Sequence, residues 1–368
     1  MEEVLPGGKV RLAGKVLLNL SSNDYLGLSL DPRLIAAAQA AAARWGTGAG
    51  ASRLVAGHLA LHQEVETRLA DFKGTQAAVI FSTGYMANLG VIAALTGPGD
   101  AVFCDRLNHA SIYDGVKLSG ATLHRFPHRD LNRLEELLQQ GQGARRRLII
   151  TDSVFSVDGD LAPLAELVAL KDRFGAALMI DEAHATGVLG GKGAGLAEAL
   201  GLSVRIEVHL GTFSKALGSL GGYVAGEQRL IEYLHNRARS FIYSTALAPP
   251  VLGAIEAALE VVAREPRPRA YLQEEAEIFR RGLAQAGLDT LGSQTQIVPV
   301  LVGDNGRTLE FAARLRRQGL LAVALRPPTV PLGRARVRFS LSAAHSREDL
   351  RKALNTIINT ARAMGLGA

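Results

Sequence analysis

The chain is 368 residues long, 48% apolar and 21% charged, with a mean hydropathy of +0.13; this is the composition of a globular protein of two or three domains and excludes a disordered tail. Its single cysteine, Cys104, rules out an intramolecular disulfide and any cysteine-based zinc cluster, and fits a reducing cytosol. The net charge is +6, but the 41 basic and 35 acidic residues are spread along the chain, so it reads as a solvated surface with some pull on anionic substrates, not as a nucleic-acid face.

The N-terminus, MEEVLPGGKV, is acidic and carries no long apolar run, so no secretory signal is expected. No stretch reaches the roughly 18 to 20 uncharged apolar residues of a membrane span. Leu34 to Trp45 is a strong helix former, with Asp31 as N-cap, Pro32 at the first helical position and Gly46 as its stop. From about residue 74, short apolar runs alternate with amphipathic helical stretches. The runs are Ala77 to Phe81, Ala101 to Cys104, Leu148 to Thr151, Ala177 to Ile180, Val208 to Leu210 and Tyr223 to Ala225. Several are continuously apolar, as strands buried on both faces of a mainly parallel sheet are. After Pro249 and Pro250 come long helical stretches, Val251 to Ala263 and Tyr271 to Ala286, interrupted at 264–269, and then the strand-like Ile297 to Val302 and Arg336 to Leu341. The expected organisation is an N-terminal segment over 1–28, a large α/β domain over 29–255 and a smaller α+β domain over 256–368.

Three patterns resemble known sites and lack their context. Gly46 to Ala51 matches a dinucleotide fingerprint but follows a helix instead of a strand. Gly187 to Gly195 is glycine-rich, yet Lys192 is followed by Gly where a phosphate loop needs Ser or Thr, so a flexible loop is expected. His58 and His62 have the spacing of a metal helix, but Leu59 stands where the zinc motif needs Glu, and they read as structural or cleft histidines.

Asp181-Glu-Ala-His184 and Thr212-Phe-Ser-Lys215 each follow an apolar strand. In a parallel sheet the carboxyl ends of the strands carry ligands. Singly, Asp181 reads as a strand-end cap and Lys215 as a surface charge. Together they supply an amine for a Schiff base and a carboxylate for a protonated pyridine nitrogen, the two needs of pyridoxal phosphate (PLP). Ser82-Thr-Gly-Tyr-Met-Ala-Asn88 follows a strand and opens a helix, whose free N–H groups suit a phosphate. Asn108-His109, after the next strand, offers an imidazole to a cofactor face.

The segments SSNDYLGL (21–28), STGYMAN (82–88), DRLNHASIYDG (105–115), TDSVFSVDGD (151–160), DEAHATG (181–187), GTFSKALGSLGGY (211–223), YST (243–245), RPPTVP (326–331) and RVRFSLSAAH (336–345) occur in this order. In this the chain resembles the α-oxoamine synthases, PLP enzymes of aspartate-aminotransferase fold type I. The resemblance implies a large domain with a mainly parallel seven-stranded sheet flanked by helices, and a smaller α+β C-terminal domain. It implies that Lys215 holds PLP as a Schiff base, Asp181 pairs with the ring nitrogen, His184 and Ser156 contact the phenolic oxygen, and His109 stacks on the ring. Gly84, Tyr85 and Thr212 would bind the phosphate, and Thr245 the phosphate of a partner subunit, which implies a homodimer. Arg338 with Asn23 would receive the amino-acid carboxylate, and Thr329 would lie near the acyl substrate. Only 22 residues precede Asn23, fewer than such enzymes usually carry; either the chain starts at an internal Met or its substrate entrance is shorter, and the group that meets the far end of the acyl substrate is left open.

Overall fold

The computed structural model describes residues 1–367. They gather into two compact units. The larger comprises Leu28–Phe155 and Ala162–Pro266, and the smaller Met1–Gly27, Ser156–Leu161 and the described residues from Arg267 onward. No helix among the described residues is long and apolar enough to cross a membrane.

The larger unit is built on a seven-stranded sheet: β1 (Ala77–Phe81), β2 (Ala101–Asp105), β3 (Thr122–Phe126), β4 (Arg147–Asp152), β5 (Ala177–Asp181), β6 (Val208–Thr212) and β7 (Gly222–Gly226). Its order is β1-β7-β6-β5-β4-β2-β3. The pairs β3–β2, β2–β4, β4–β5 and β5–β6 are parallel, whereas β7 runs antiparallel to both β6 and β1. The six apolar runs read from the sequence are six of these strands. The seventh, β3, reads TLHRF and lies mostly exposed at the sheet edge, where His124 stacks on Phe103 at 4.9 Å and the Arg125 guanidinium lies 4.9 Å from the Tyr113 ring. At this edge β3 is wetted, so it lacks the continuous apolar signature of its neighbours, whereas β1, at the opposite edge, is almost wholly buried and keeps it.

Val79, Phe81, Val102, Cys104, Ile150, Met179, Leu210 and Val224 form a core with Val91, Ile92, Ile112, Leu234 and Phe241 from the covering helices. Burial of each large apolar side chain contributes roughly 1.5–3 kcal/mol against the entropy of ordering it. The helix Pro32–Trp45 starts as expected, with Asp31 accepting the Arg33 N–H and Pro32 at its first position, and ends at Gly46, where φ is 84°. The segment Gly187–Gly195 is tied down, which corrects the expectation of a loose loop: the Lys192 and Ala194 N–H groups donate to the Glu198 carboxylate, both at 2.7 Å.

In the smaller unit, Glu3–Leu5, Lys9–Leu12 and Lys15–Asn19 form an antiparallel ribbon, and Lys15–Asn19 also pairs with Leu320–Leu321. A second sheet has Ala335–Ser340 between Ile297–Gly303 and Val323–Leu325. Helices Arg267–Gln285, Asn305–Arg317 and Arg347–Ala363 complete the unit.

Candidate active site

In the larger unit β1 to β6 share one direction, so the segments after Phe81, Asp105, Asp152, Asp181 and Thr212 all leave the same end of the sheet. Asp181, the buried last residue of β5, is held by three neighbours. Its Oδ2 accepts from Asn88 Nδ2 at 2.8 Å, its Oδ1 accepts from the Ala183 N–H at 2.9 Å, and its carbonyl accepts from the Ser153 N–H at 2.9 Å. Asn88 belongs to the helix Gly84–Leu95, which begins where Thr83 accepts the Met86 N–H at 3.1 Å, and the residue lies four positions into it. Asn88 Nδ2 also donates to Ser111 Oγ at 3.0 Å, and Ser111 Oγ lies 2.7 Å from His109 Nδ1. Asp181, Asn88, Ser111 and His109 therefore form one chain of hydrogen bonds. The Oδ1 of Asn88 is buried with no hydrogen-bond partner among the described residues.

His109 caps the helix Ala110–Ser119, and its backbone N–H donates to Asp152 Oδ2 at 2.8 Å. Asp152 ends β4 opposite Asp181 in the parallel register. Two carboxylates on adjacent strand ends repel. Burial and the charge of Asp181 raise Asp152 well above the usual carboxylate range, while the His109 N–H and Lys215 work against this. Loss of solvation lowers the His109 imidazole, opposed by Asp181 and reinforced by Lys215, so the ring is neutral near pH 7. The Lys215 charge acts on both His109 and Asp152, which puts its amine within electrostatic reach of both.

A closed turn presents Lys215. The Phe213 N–H donates to the Gly221 carbonyl at 3.0 Å, Thr212 Oγ1 donates to the same carbonyl at 2.6 Å, and the Gly218 N–H donates to the Lys215 carbonyl at 2.9 Å. His184 lies buried three residues beyond Asp181. At the start of the Gly84–Leu95 helix, a Cβ on Gly84 would lie 3.4 Å from Thr212 Cβ, so glycine keeps the space between the two open. Gly222 of β7 is packed so closely here that a Cβ on it would lie 2.5 Å from the Gly84 nitrogen. Tyr85 is largely exposed and donates its hydroxyl to Asp114. Thr245 is exposed and bridges Ser52, with its carbonyl 3.4 Å from Ser82 Oγ.

The remaining expected site residues belong to the smaller unit. Arg338, on the strand Ala335–Ser340, donates through Nη1 to the Ser156 carbonyl at 2.8 Å and through Nη2 to Asn23 Oδ1 at 3.3 Å. Tyr25 OH donates to the same Asn23 oxygen at 3.1 Å. Burial pushes the Tyr25 hydroxyl up, against the pull of Arg338, so this phenol stays protonated. The Arg338 Nε is buried and lacks a partner among the described residues, a donor suited to a carboxylate oxygen. Thr329 is exposed in a turn, its N–H donating to the Arg326 carbonyl at 3.0 Å.

The residues at the strand ends fit PLP. The Gly84 opening beside Thr212 lies at a helix N-terminus, where free N–H groups favour a phosphate. Asp181 is a carboxylate fixed by donors, and Lys215 is an amine whose charge acts, as that of Asp181 does, on both His109 and Asp152. Asn88 and Asp152 received no role in the sequence reading. Asn88 is a polar residue in an otherwise apolar helix, one turn beyond Gly84, and Asp152 ends an apolar strand as Asp181 does; both signals are local.

The model of the aminotransferase class I and II family matches residues 15–357. The chain belongs to that family. Among its curated relatives is an 8-amino-7-oxononanoate synthase of Geobacter metallireducens, 51% identical over 98% of this chain and 93% of the relative. A serine palmitoyltransferase from S. paucimobilis, solved with bound PLP, superimposes with a TM-score of 0.96 at 34% identity, covering 99% of this chain and 92% of that one. An 8-amino-7-oxononanoate synthase from Francisella tularensis superimposes with a TM-score of 0.82 at 28% identity over 95% of this chain and 99% of its own. In this aminotransferase-family chain the seven-stranded, mostly parallel sheet and its covering helices are the fold expected from the sequence.

Proposed function

We propose that the chain is an 8-amino-7-oxononanoate synthase, which condenses L-alanine with a pimeloyl thioester, on coenzyme A or a carrier protein, and releases carbon dioxide and the free thiol carrier. The observation that carries the reading is the buried Asp181 carboxylate, fixed by Asn88 at 2.8 Å and acting together with Lys215 on His109, in a chain about half identical to relatives of that name. Bound PLP supplies an electrophilic aldehyde and a protonated ring that accepts electron density from the α-carbon of the amino acid.

Asp181 would pair with the ring nitrogen and keep it protonated; its two oxygens accept from Asn88 and Ala183, which fixes the direction of the carboxylate. Lys215 would hold the aldehyde, and its amine is the group that would take the α-proton of L-alanine as general base and return a proton to the product. His109 would cover the ring face, and its neutral imidazole would donate to the acyl oxygen as negative charge develops there, a contribution of about a few kcal/mol. His184 and Ser156 serve the phenolic oxygen. Gly84, Tyr85 and Thr212 serve the phosphate, and Thr245 serves the phosphate of a partner subunit in a homodimer. Arg338 and Asn23 take the alanine carboxylate, and Thr329 borders the acyl chain. We assign the protein to the cytoplasm.

The test is thiol release from PLP-loaded protein, crossing L-alanine, glycine and L-serine with pimeloyl-CoA, acetyl-CoA and palmitoyl-CoA. Release with L-alanine and pimeloyl-CoA is expected. Release with glycine and acetyl-CoA would move the assignment to a glycine C-acetyltransferase, and release with L-serine and palmitoyl-CoA to the activity in the name of the structural neighbour.

A further inference from the structure

Behind the site lies a buried cluster that the reaction itself does not use. Glu182 directly follows Asp181 and is fully buried. Its carboxylate accepts from Lys73 Nζ, at the end of the helix Ala60–Lys73, and from the Ala197 N–H at 3.1 Å. His209 of β6 stands 3.8 Å away. Lys73 is also buried and donates to the Ala194 carbonyl. Its Nζ lies 5.8 Å from the Tyr223 ring centroid. Tyr223 of β7, fully buried, places its hydroxyl 2.6 Å from Thr186 Oγ1. Burial opposes charge on both members of the pair, but each outweighs it for the other: Lys73 is held above its ordinary value, and Glu182, helped by His209, is brought down to about 2. Both are ionised at neutral pH.

The surroundings are shaped to the pair. A Cβ on Gly195 would lie 2.3 Å from Glu182 Oε1, and one on Gly211, next to Thr212, would lie 2.3 Å from the Tyr223 hydroxyl. The cluster thus reaches the Asp181–His184 turn through Glu182 and Thr186, the Thr212–Lys215 turn through Gly211, and the Gly84 loop through Gly222 beside Tyr223. A buried ion pair is weak evidence for net stability, because apolar residues of similar volume often replace one without loss. Its value here lies in geometry.

We infer that the Lys73–Glu182 pair, with Tyr223, is a positioning device that fixes the direction of Asp181 and His184 toward the cofactor. The pair is not among the groups assigned to cofactor or substrate, and it acts through the backbone on either side of Glu182, with Asp181 directly before it and His184 two residues after it. This rests on the functional reading above.

The test compares PLP-loaded wild type with Lys73→Met/Glu182→Gln, which removes both charges together and keeps an acceptor for the Ala197 N–H. Tyr223→Phe is the second variant, since it releases Thr186 and leaves the charges in place. Melting temperature, the pH midpoint of the bound cofactor's absorbance, and kcat and KM for L-alanine are read for each. The double variant is expected to melt close to wild type, to shift the absorbance midpoint by half a pH unit or more, and to lose about tenfold in kcat with KM within twofold. Tyr223→Phe is expected to shift the midpoint in the same direction by less, and it carries the test if the double variant does not fold. Folded variants with wild-type midpoint and kcat would overturn the inference. A wild-type protein that takes up no PLP would refute the functional reading itself, and the inference with it.

Discussion

Gly222→Ala adds a single methyl to β7 at the point where that strand passes the cofactor loop. The new Cβ would stand 2.5 Å from both the Gly84 nitrogen and the Thr83 carbonyl oxygen, and 2.6 Å from Gly84 Cα. These are backbone atoms of a helix start, so no side-chain rotation relieves the contact, and either the strand or the loop must move. Overpacking of this kind costs about 1–3 kcal/mol. The Gly84 N–H is one of the free donors of the helix Gly84–Leu95, and its displacement falls on the phosphate. At about 1.4 kcal/mol per tenfold, the dissociation constant for PLP should rise by roughly 5- to 150-fold. Titration of the apoprotein, followed by cofactor absorbance, measures this. Pyridoxal without its phosphate serves as the control and should lose much less. Unchanged PLP affinity, or an equal loss for pyridoxal, would refute the assignment of this loop to the phosphate.

Asp181→Asn should keep the fold and lower kcat by roughly 100-fold or more, because a neutral amide cannot hold the ring proton and its NH2 would face the Asn88 or Ala183 donor; steady-state kinetics at saturating L-alanine decides. Arg338→Lys removes the forked donors now directed at Ser156 and Asn23, so KM for L-alanine should rise by roughly tenfold or more with a smaller change in kcat. His345 concerns stability. It is 2% exposed, its Nδ1 accepts the Ser342 N–H at 3.1 Å and its Nε2 faces the Asn19 carbonyl at 3.2 Å, which is the bonding of a neutral ring. Burial lowers it from 6.5 to about 4. The unfolded chain therefore binds the proton first, and stability that is full above pH 6.5 is lost as the pH falls toward 4. The loss at pH 5 should be about 2 kcal/mol. Thermal unfolding between pH 8 and 5 should show a shallower acid loss in His345→Asn than in wild type, and equal losses would count against the assignment.

How much of this is legible in the sequence depends on whether the signal is local. Six strands, the five inner ones and β1 at one edge, announce themselves as apolar runs because both of their faces are covered. Asp181 and Lys215 stand out because each follows such a run, and a parallel sheet brings the ends of those runs together. The strand β3 is hidden by its place at the edge, where His124 and Arg125 break the run. The N-terminal ribbon does leave a trace: Ala13 and Gly14, both at positive φ, form a two-residue turn between KVRL and KVLLN. Its strands are short and partly exposed, and their pairing with Leu320–Leu321 lies some 300 residues away, beyond any local pattern. The Lys73–Glu182 pair is hidden for the same reason, since its members are 109 positions apart and neither looks unusual in its own segment.

The central claim is that catalysis is organised around Lys215 at the carboxyl ends of the sheet strands. Borohydride reduction of the PLP-loaded protein, followed by proteolysis and mass mapping, tests it most directly. The expected result is one phosphopyridoxyl group per chain on the peptide that contains Lys215, and none in Lys215→Ala. A modification that maps to another lysine, or persists in the variant, would contradict the account.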